Sequence, residues 1–359
     1  MALTPQSVAV LGAGIMGRLM AWQLARAGWQ VSVFEAGGAD AQSSPARVAA
    51  AMLAPLAESA ITEPPVVEMG HYALTRWPEL LQQLEQPVFF QQEGTLILWH
   101  RQDAAEAQRF GRIMHATHAS NPALPQPQNL DMAGVQALEP SLETRFTQGL
   151  YLPGEGQLDN RELMASLLHA LQNLKVPLHW HTAKAPEDFQ PGQRGQPDWV
   201  VDCRGLGAKG SLPLRGIRGE VARIHAPDVH LSRPTRLIHP RYPIYIAPKP
   251  DHLFVIGATE IESNDTSPPS VRSTLELLSA AYSVHPGFGE GRIIEIATQA
   301  RPTLPDNLPA VRLLSPRCLQ LNGLYRHGFM ISPAMLDVAL QMLDGGTSPL
   351  AQRFKLNTV

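Results

Sequence analysis

The chain has 359 residues, 44% hydrophobic and 17% charged, with a formal net charge of −3. That composition supports a sizeable core, in one large domain or two joined ones, and excludes an intrinsically disordered chain. The mildly acidic balance supplies no basic surface for nucleic acid and no polybasic attachment to a membrane.

Residues 1–7 carry no basic stretch, and the apolar run after them stops at glycine, too short for a signal peptide. No uninterrupted apolar stretch approaches the roughly 20 residues that span a bilayer, so no membrane insertion is expected. Residues 8–11, Val-Ala-Val-Leu, predict a short buried strand of the parallel type. Leu19, Met20, Trp22, Leu24 and Ala27 recur at helical spacing, with Gly28 placed to end the helix. Residues 31–35 predict the next strand and complete a right-handed βαβ unit.

The alanine-rich segment 46–54 predicts a helix stopped by Pro55, and two further helical stretches flank Pro78. Segment 88–99 reads as extended and 102–118 as an amphipathic helix, followed by a Pro/Asn/Gln-rich loop through Asn129. A helix over 161–174 precedes strands at 178–182 and 199–203. The stretch 217–257 is strand-rich, a change of texture that predicts a separate sheet. A helix over 270–282, extended chain over 293–298, a strand at 318–322 and a closing helix over 334–343 complete the pattern. Cys203 and Cys318 are the only cysteines. They make no disulfide framework and no C-x-x-C site, and they predict a reducing, cytoplasmic setting. His115 with His118, and His179 with His181, have metal-like spacing without a third ligand nearby, so no metal is expected.

Gly12-Ala13-Gly14-Ile15-Met16-Gly17 matches G-x-G-x-x-G between a predicted strand and a predicted helix, and Glu35 follows Gly14 by 21 positions. Gly12 permits the tight turn, Gly14 lets a pyrophosphate approach the backbone, and Gly17 lets the helix pack closely on the strand. The helix N-terminus offers unpaired N–H groups and a positive dipole end. Glu35 is placed to accept hydrogen bonds from ribose hydroxyls and to repel a 2′-phosphate. A second match, Gly205-Leu206-Gly207-Ala208-Lys209-Gly210, is followed by Pro213, which forbids a helix of useful length. It reads as a turn at the edge of the first nucleotide site.

Further motifs follow in order: Ala49-Ala50-Ala51-Met52-Leu53-Ala54-Pro55, then Asp202-Cys203-Arg204-Gly205-Leu206-Gly207-Ala208, then Arg218-Gly219-Glu220. After them come Tyr245-Ile246-Ala247-Pro248, Gly257-Ala258-Thr259, Arg301-Pro302 and Gly323-Leu324-Tyr325-Arg326-His327-Gly328. Together they resemble the D-amino-acid-oxidase-like family of FAD oxidoreductases from end to end, with the nearest likeness to the glycine oxidases of thiamine biosynthesis.

The resemblance implies an α/β fold with a Rossmann-type domain binding FAD non-covalently, assembled from 1–80, 150–212 and 302–359. An inserted α+β substrate domain with a mostly antiparallel sheet would comprise 81–149 and 213–301. Ile15 and Met16 would line the pyrophosphate, and Glu35 and Ala36 the adenosine. Ser43 or Ser44, with Ala50, Ala51 and Met52, would approach the flavin, and Gly205 would border the site. Main chain near Lys184 would touch the adenine. Leu324, Tyr325, Arg326, His327, Gly328, Phe329 and Met330 would wrap the flavin's pyrimidine end.

Arg301 aligns with the arginine that clamps the substrate carboxylate, a role suited to a planar fork that cannot lose its proton. Tyr245 aligns with a tyrosine that hydrogen-bonds the same carboxylate, with Tyr242 as a competitor. Leu324 stands where family members often carry histidine, and Pro243 where glycine oxidases can place one. The implied reaction is oxidative deamination of a small amino acid, of glycine, N-methylglycine or D-alanine type, by hydride transfer to flavin N5. Reoxidation by oxygen would yield hydrogen peroxide; the alternatives are a dehydrogenase serving a quinone or protein acceptor, an NAD-dependent dehydrogenase, and a non-catalytic flavin-binding subunit. The partners implied are a small amino acid and oxygen, with homo-oligomerisation left open.

Overall fold

The computed structural model describes residues 6–239 and 243–356. Three sheets organise them. The first, in spatial order Ala310–Ser315, Cys318–Asn322, Trp199–Asp202, Ser7–Leu11, Gln30–Phe34 and Leu178–His179, is parallel apart from the antiparallel Ala310–Ser315 edge. β1 (Ser7–Leu11) is central because Val8 to Leu11 are buried on both faces. α1 (Ile15–Arg26) packs on it through Leu19, Met20, Trp22 and Leu24, and Gly28, at φ +86°, turns the chain into β2 (Gln30–Phe34).

The second sheet has nine strands, and its longest pair joins Arg215–His225 to Arg292–Thr303. It is antiparallel except where Thr235–Ile238 runs parallel to Thr95–Trp99. A small third sheet, Met52–Leu53, Gly156–Leu158 and Phe90–Gln91, lies between them in the chain's wiring. The α/β architecture with a largely antiparallel second sheet agrees with the fold class expected.

Several local expectations need correction. Segment 46–54 is not one helix: Pro45–Val48 forms a single turn, Ala51 takes φ +54°, and Met52–Leu53 pairs with Gly156–Leu158. Pro55 opens the next helical turn, Pro55–Glu58, because proline at a first helical position gives up an amide that has no partner there anyway. Pro78 does not divide a helix either; Pro64–Leu81 runs through it. The missing amide lies in the last turns, and Trp77 holds them, fully buried, with Nε1 donating to the Phe329 carbonyl at 2.9 Å. Truncating such a core tryptophan typically costs about 3–5 kcal/mol, enough to outweigh one lost hydrogen bond. The strand expected over 178–182 is only Leu178–His179, and the extended 293–298 is part of the longer Arg292–Thr303. The second glycine match is a 3-10 turn, Gly205–Ala208, with no α-helix after it. The closing helix begins earlier than expected, at Gly328 (Gly328–Gly345), so the last family motif flows into its first turn. No described helix is long and apolar enough to cross a membrane.

Candidate active site

One cavity of about 1340 Å³ runs from the glycine turn after β1 to the second sheet. Gly12, Gly14, Ile15, Met16, Glu35, Ala36, Ser43, Ser44, Ala51, Met52 and Gly205 line it, as do Leu324, Tyr325, Arg326, His327, Gly328, Phe329 and Met330. Arg301 and Tyr245 stand on the same wall. Gly17 lies beneath the turn, and Lys184 does not line the cavity; its ammonium lies 4.0 Å from Asp188. Tyr242 falls outside the described residues.

At the nucleotide end the glycines meet spatial demands. Gly12 sits at φ +91°, and a Cβ there would come within 2.7 Å of the Cys203 carbonyl oxygen. A Cβ on Gly17 would lie 1.8 Å from the Gly12 carbonyl oxygen, so helix and turn touch backbone to backbone. No side chain caps α1 at Gly14, and no acidic residue occupies its first turn. The helical ladder starts with the Arg18 amide on the Gly14 carbonyl at 3.0 Å, which leaves the amides before it for an anion. This open, positively polarised end fits a pyrophosphate.

Glu35 already has work here. Its Oε2 accepts the Ala13 amide at 2.6 Å and its Oε1 the Gly37 amide at 2.8 Å. Each oxygen keeps a second lone pair for a ribose hydroxyl. Arg18, which sequence reasoning missed, is 1% exposed and donates to the carbonyls of Ala13, Met164 and Ala39 at 2.8, 2.6 and 2.7 Å. It ties the glycine turn to the loop after Glu35; an arginine in the first turns of a mostly apolar helix is its only sequence signal. Lys249 does similar work under the alanine run, donating to Ala50 and Leu158 carbonyls at 2.9 and 2.7 Å and to Gln157 Oε1 at 3.0 Å. Burial draws its ammonium down to about 7.

At the other end, Arg301 and Tyr245 each lie over a glycine of a neighbouring strand. Tyr245 pairs with Gly257 in the ladder, and a Cβ on Gly257 would sit 2.4 Å from the tyrosine oxygen. A Cβ on Gly219 would sit 2.3 Å from an Arg301 Nη. The two glycines therefore make the floor on which the polar groups rest. Thr259 O accepts from Arg301 Nη1 at 3.3 Å, and Thr259 is itself fixed by the Glu220 amide, which donates to its hydroxyl at 2.9 Å. Among the described residues Arg301 has no carboxylate partner, and the Tyr245 hydroxyl has no hydrogen-bond acceptor. Burial lowers the Arg301 guanidinium from its usual range and raises the Tyr245 phenol.

Beside them stands an ionic cluster that the sequence did not disclose. Glu58 closes the Pro55–Glu58 turn, is 6% exposed, and pairs with Arg236; its Oε2 lies 3.2 Å from Arg326 Nε. Burial opposes its ionisation, but Arg236, Arg326 and His327 outweigh burial and hold the carboxyl well below the usual range. Arg326 also meets Glu260 at 2.8 Å, and Tyr325 donates to the same carboxylate. His118 bonds the Leu124 carbonyl at 2.9 Å and His179 stacks on Phe34; no cluster of three metal-type ligands occurs among the described residues.

A glycine fingerprint on a parallel sheet, an acidic residue just past β2, and a cavity ending at a half-buried guanidinium without a carboxylate partner among the described residues define a dinucleotide-dependent oxidoreductase. Comparison with known proteins agrees. The family model described as FAD dependent oxidoreductase matches residues 7–338, and the chain belongs to that family. A Rhizobium etli protein, named as a candidate thiamine biosynthesis oxidoreductase ThiO, is 39% identical over 344 residues, 95% of this chain and 98% of its own. The bifunctional protein ThiO/ThiG of Synechocystis is 27% identical over 98% of this chain, which spans 54% of that protein. The crystal structure of glycine oxidase from Geobacillus kaustophilus shares the fold at TM-score 0.79 and 24% identity, over 98% of this chain and 99% of its own. The chain is an FAD-dependent oxidoreductase of the glycine oxidase and ThiO type.

Proposed function

We propose that this enzyme oxidatively deaminates a small amino acid of glycine, N-methylglycine or D-alanine type, with oxygen as electron acceptor. The observation that carries the reading is Arg301: a half-buried arginine on the cavity wall with one hydrogen bond, to Thr259 O at 3.3 Å. A guanidinium presents five donors, and a substrate carboxylate would satisfy the idle ones bidentately. The Tyr245 hydroxyl, seated on Gly257, would donate to the same carboxylate. Held at two points, the substrate has its α-carbon fixed in one orientation, which is where the rate advantage arises. The closely spaced glycines and alanines around the cavity would let a flat ring system lie close to backbone.

FAD, held non-covalently, would supply the redox chemistry by accepting a hydride equivalent from the substrate and passing the electron pair to oxygen to give hydrogen peroxide. The residues assigned to cofactor are those of the glycine turn, Glu35, the alanine run and the 324–330 turn. The strands of the first sheet would belong to the FAD domain and those of the second, Gln148–Leu152 included, to the substrate domain. The unpaired thiols of Cys203 and Cys318 suit a reducing interior such as cytoplasm.

Turnover under air tests the reading. Each small amino acid consumed should release one equivalent of peroxide and one of ammonia, or of methylamine from N-methylglycine. Flavin reduction by amino acid without peroxide, but with turnover on an added quinone, would reassign the enzyme as a dehydrogenase.

A further inference from the structure

Around Tyr245 three guanidinium groups, of Arg236, Arg301 and Arg326, share the cavity wall with two carboxylates, of Glu58 and Glu260. Glu58 pairs with Arg236 through one oxygen and lies 3.2 Å from Arg326 and 3.6 Å from the His327 ring through the other. Arg326 is held from its far side by Glu260 at 2.8 Å. Towards the mouth, Glu106 and Arg109 pair at 2.6 Å, and Arg272 and Glu276 approach to 3.8 Å, each within one helix, so they add no net charge. Arg204, further in, is neutralised by Asp202 at 2.8 Å. Of the three guanidinium groups around Tyr245, two are matched by Glu58 and Glu260, so the surplus positive charge of this cluster is the one on Arg301.

We propose that Glu58 is a specificity-determining residue: by pairing with Arg236 and Arg326 together it leaves Arg301 alone uncompensated and restricts the cavity to amino acids with a single carboxylate. This rests on the function proposed above. A second substrate carboxylate would have to approach guanidinium groups that are already matched, past the negative charge of Glu58. Without Glu58, Arg236 loses its carboxylate partner and becomes a second anion site beside Arg301, while Arg326 keeps Glu260. Glu58 does not touch the reacting atoms; it acts through the charge it removes from its neighbours.

The test is an anion titration of the holoenzyme, read from the perturbed flavin absorbance at a pH where acetate and malonate are fully ionised. In the wild type, malonate should bind no tighter than acetate. Glu58→Gln should improve malonate over acetate at least tenfold relative to wild type. The double variant Glu58→Gln/Arg236→Gln removes one charge of each sign and should return the ratio to the wild-type value. Wild-type protein binding malonate tenfold tighter than acetate would overturn the proposal, and so would an unchanged ratio in Glu58→Gln. Should Glu58→Gln fail to hold FAD, the wild-type ratio decides. If neither anion perturbs the wild-type flavin, both this inference and the Arg301 assignment fall. If acetate binds wild type but not Arg301→Met, while the ratio ignores Glu58→Gln, only the role of Glu58 falls.

Discussion

Replacing Arg301 by alanine should damage substrate handling and spare the fold. The guanidinium makes a single hydrogen bond, at the long distance of 3.3 Å, and no ion pair among the described residues, so little native structure depends on it. With substrate present it becomes one half of a buried charged pair. Removing one member of such a pair costs about 3–5 kcal/mol, a loss of about a hundred- to a few thousand-fold in binding. Because the same contact fixes the α-carbon, the limiting rate of flavin reduction should also fall. Arg301→Lys should recover only part, since a point charge lacks the planar fork. FAD content should match wild type in both variants. Anaerobic stopped-flow reduction by glycine, N-methylglycine and D-alanine measures these effects directly. If all three reduce the Arg301→Ala flavin as fast as wild type at equal concentration, Arg301 is not the carboxylate clamp.

Gly219→Ala is a milder test of the same geometry: the new Cβ would sit 2.3 Å from Arg301 Nη, and the flexible guanidinium should yield rather than the strand. A displacement of that kind can cost about a hundredfold, so KM should rise strongly at normal FAD content; an unchanged KM would show that the floor does not position the arginine. Glu35→Ala should weaken FAD binding about ten- to a hundredfold, because it strands the Ala13 and Gly37 amides as well as the ribose. Glu35→Gln, which keeps one acceptor oxygen, should lose less, and equal affinities in an apoprotein titration would contradict the role. Glu155 is fully buried, its Oε1 accepting the Ala57 amide at 2.9 Å, and burial raises its carboxyl to about 7. The folded protein then holds a proton that the unfolded chain has lost, so this contribution to stability is present below pH ~4.5 and disappears as pH rises to 7. Glu155→Gln should abolish that loss, worth about 3 kcal/mol, and raise the melting temperature relative to wild type at pH 8 more than at pH 5. A difference in melting temperature independent of pH would refute the assignment.

The nucleotide half was legible because its demands are local. Gly12, Gly14, Gly17 and Glu35 fall within one βαβ unit, and the backbone contacts that require them are made by neighbours in the chain or by the adjacent strand. The alanine run misled for the opposite reason. Its composition favours helix, but Ala51 takes a positive φ and Met52–Leu53 pairs with a strand roughly a hundred residues later, which local propensity cannot register. Pro78 misled because tertiary packing through Trp77 outweighed one missing amide. In the substrate half, motif resemblance singled out Arg301 and Tyr245, but neither their glycine seats nor the ionic cluster could be read. Glu58, Arg236, Arg326 and Glu260 come from four separate stretches of chain, and only the folded chain shows that their charges cancel.

The most direct measurement is anaerobic: purified yellow holoenzyme is mixed with glycine, N-methylglycine or D-alanine and its flavin spectrum followed, with the keto acid quantified afterwards. At least one of the three should bleach the flavin fully, yielding one equivalent of keto acid per FAD reduced. A flavin that dithionite bleaches but that all three amino acids leave oxidised at saturating concentration would contradict the proposal that this enzyme oxidises small amino acids.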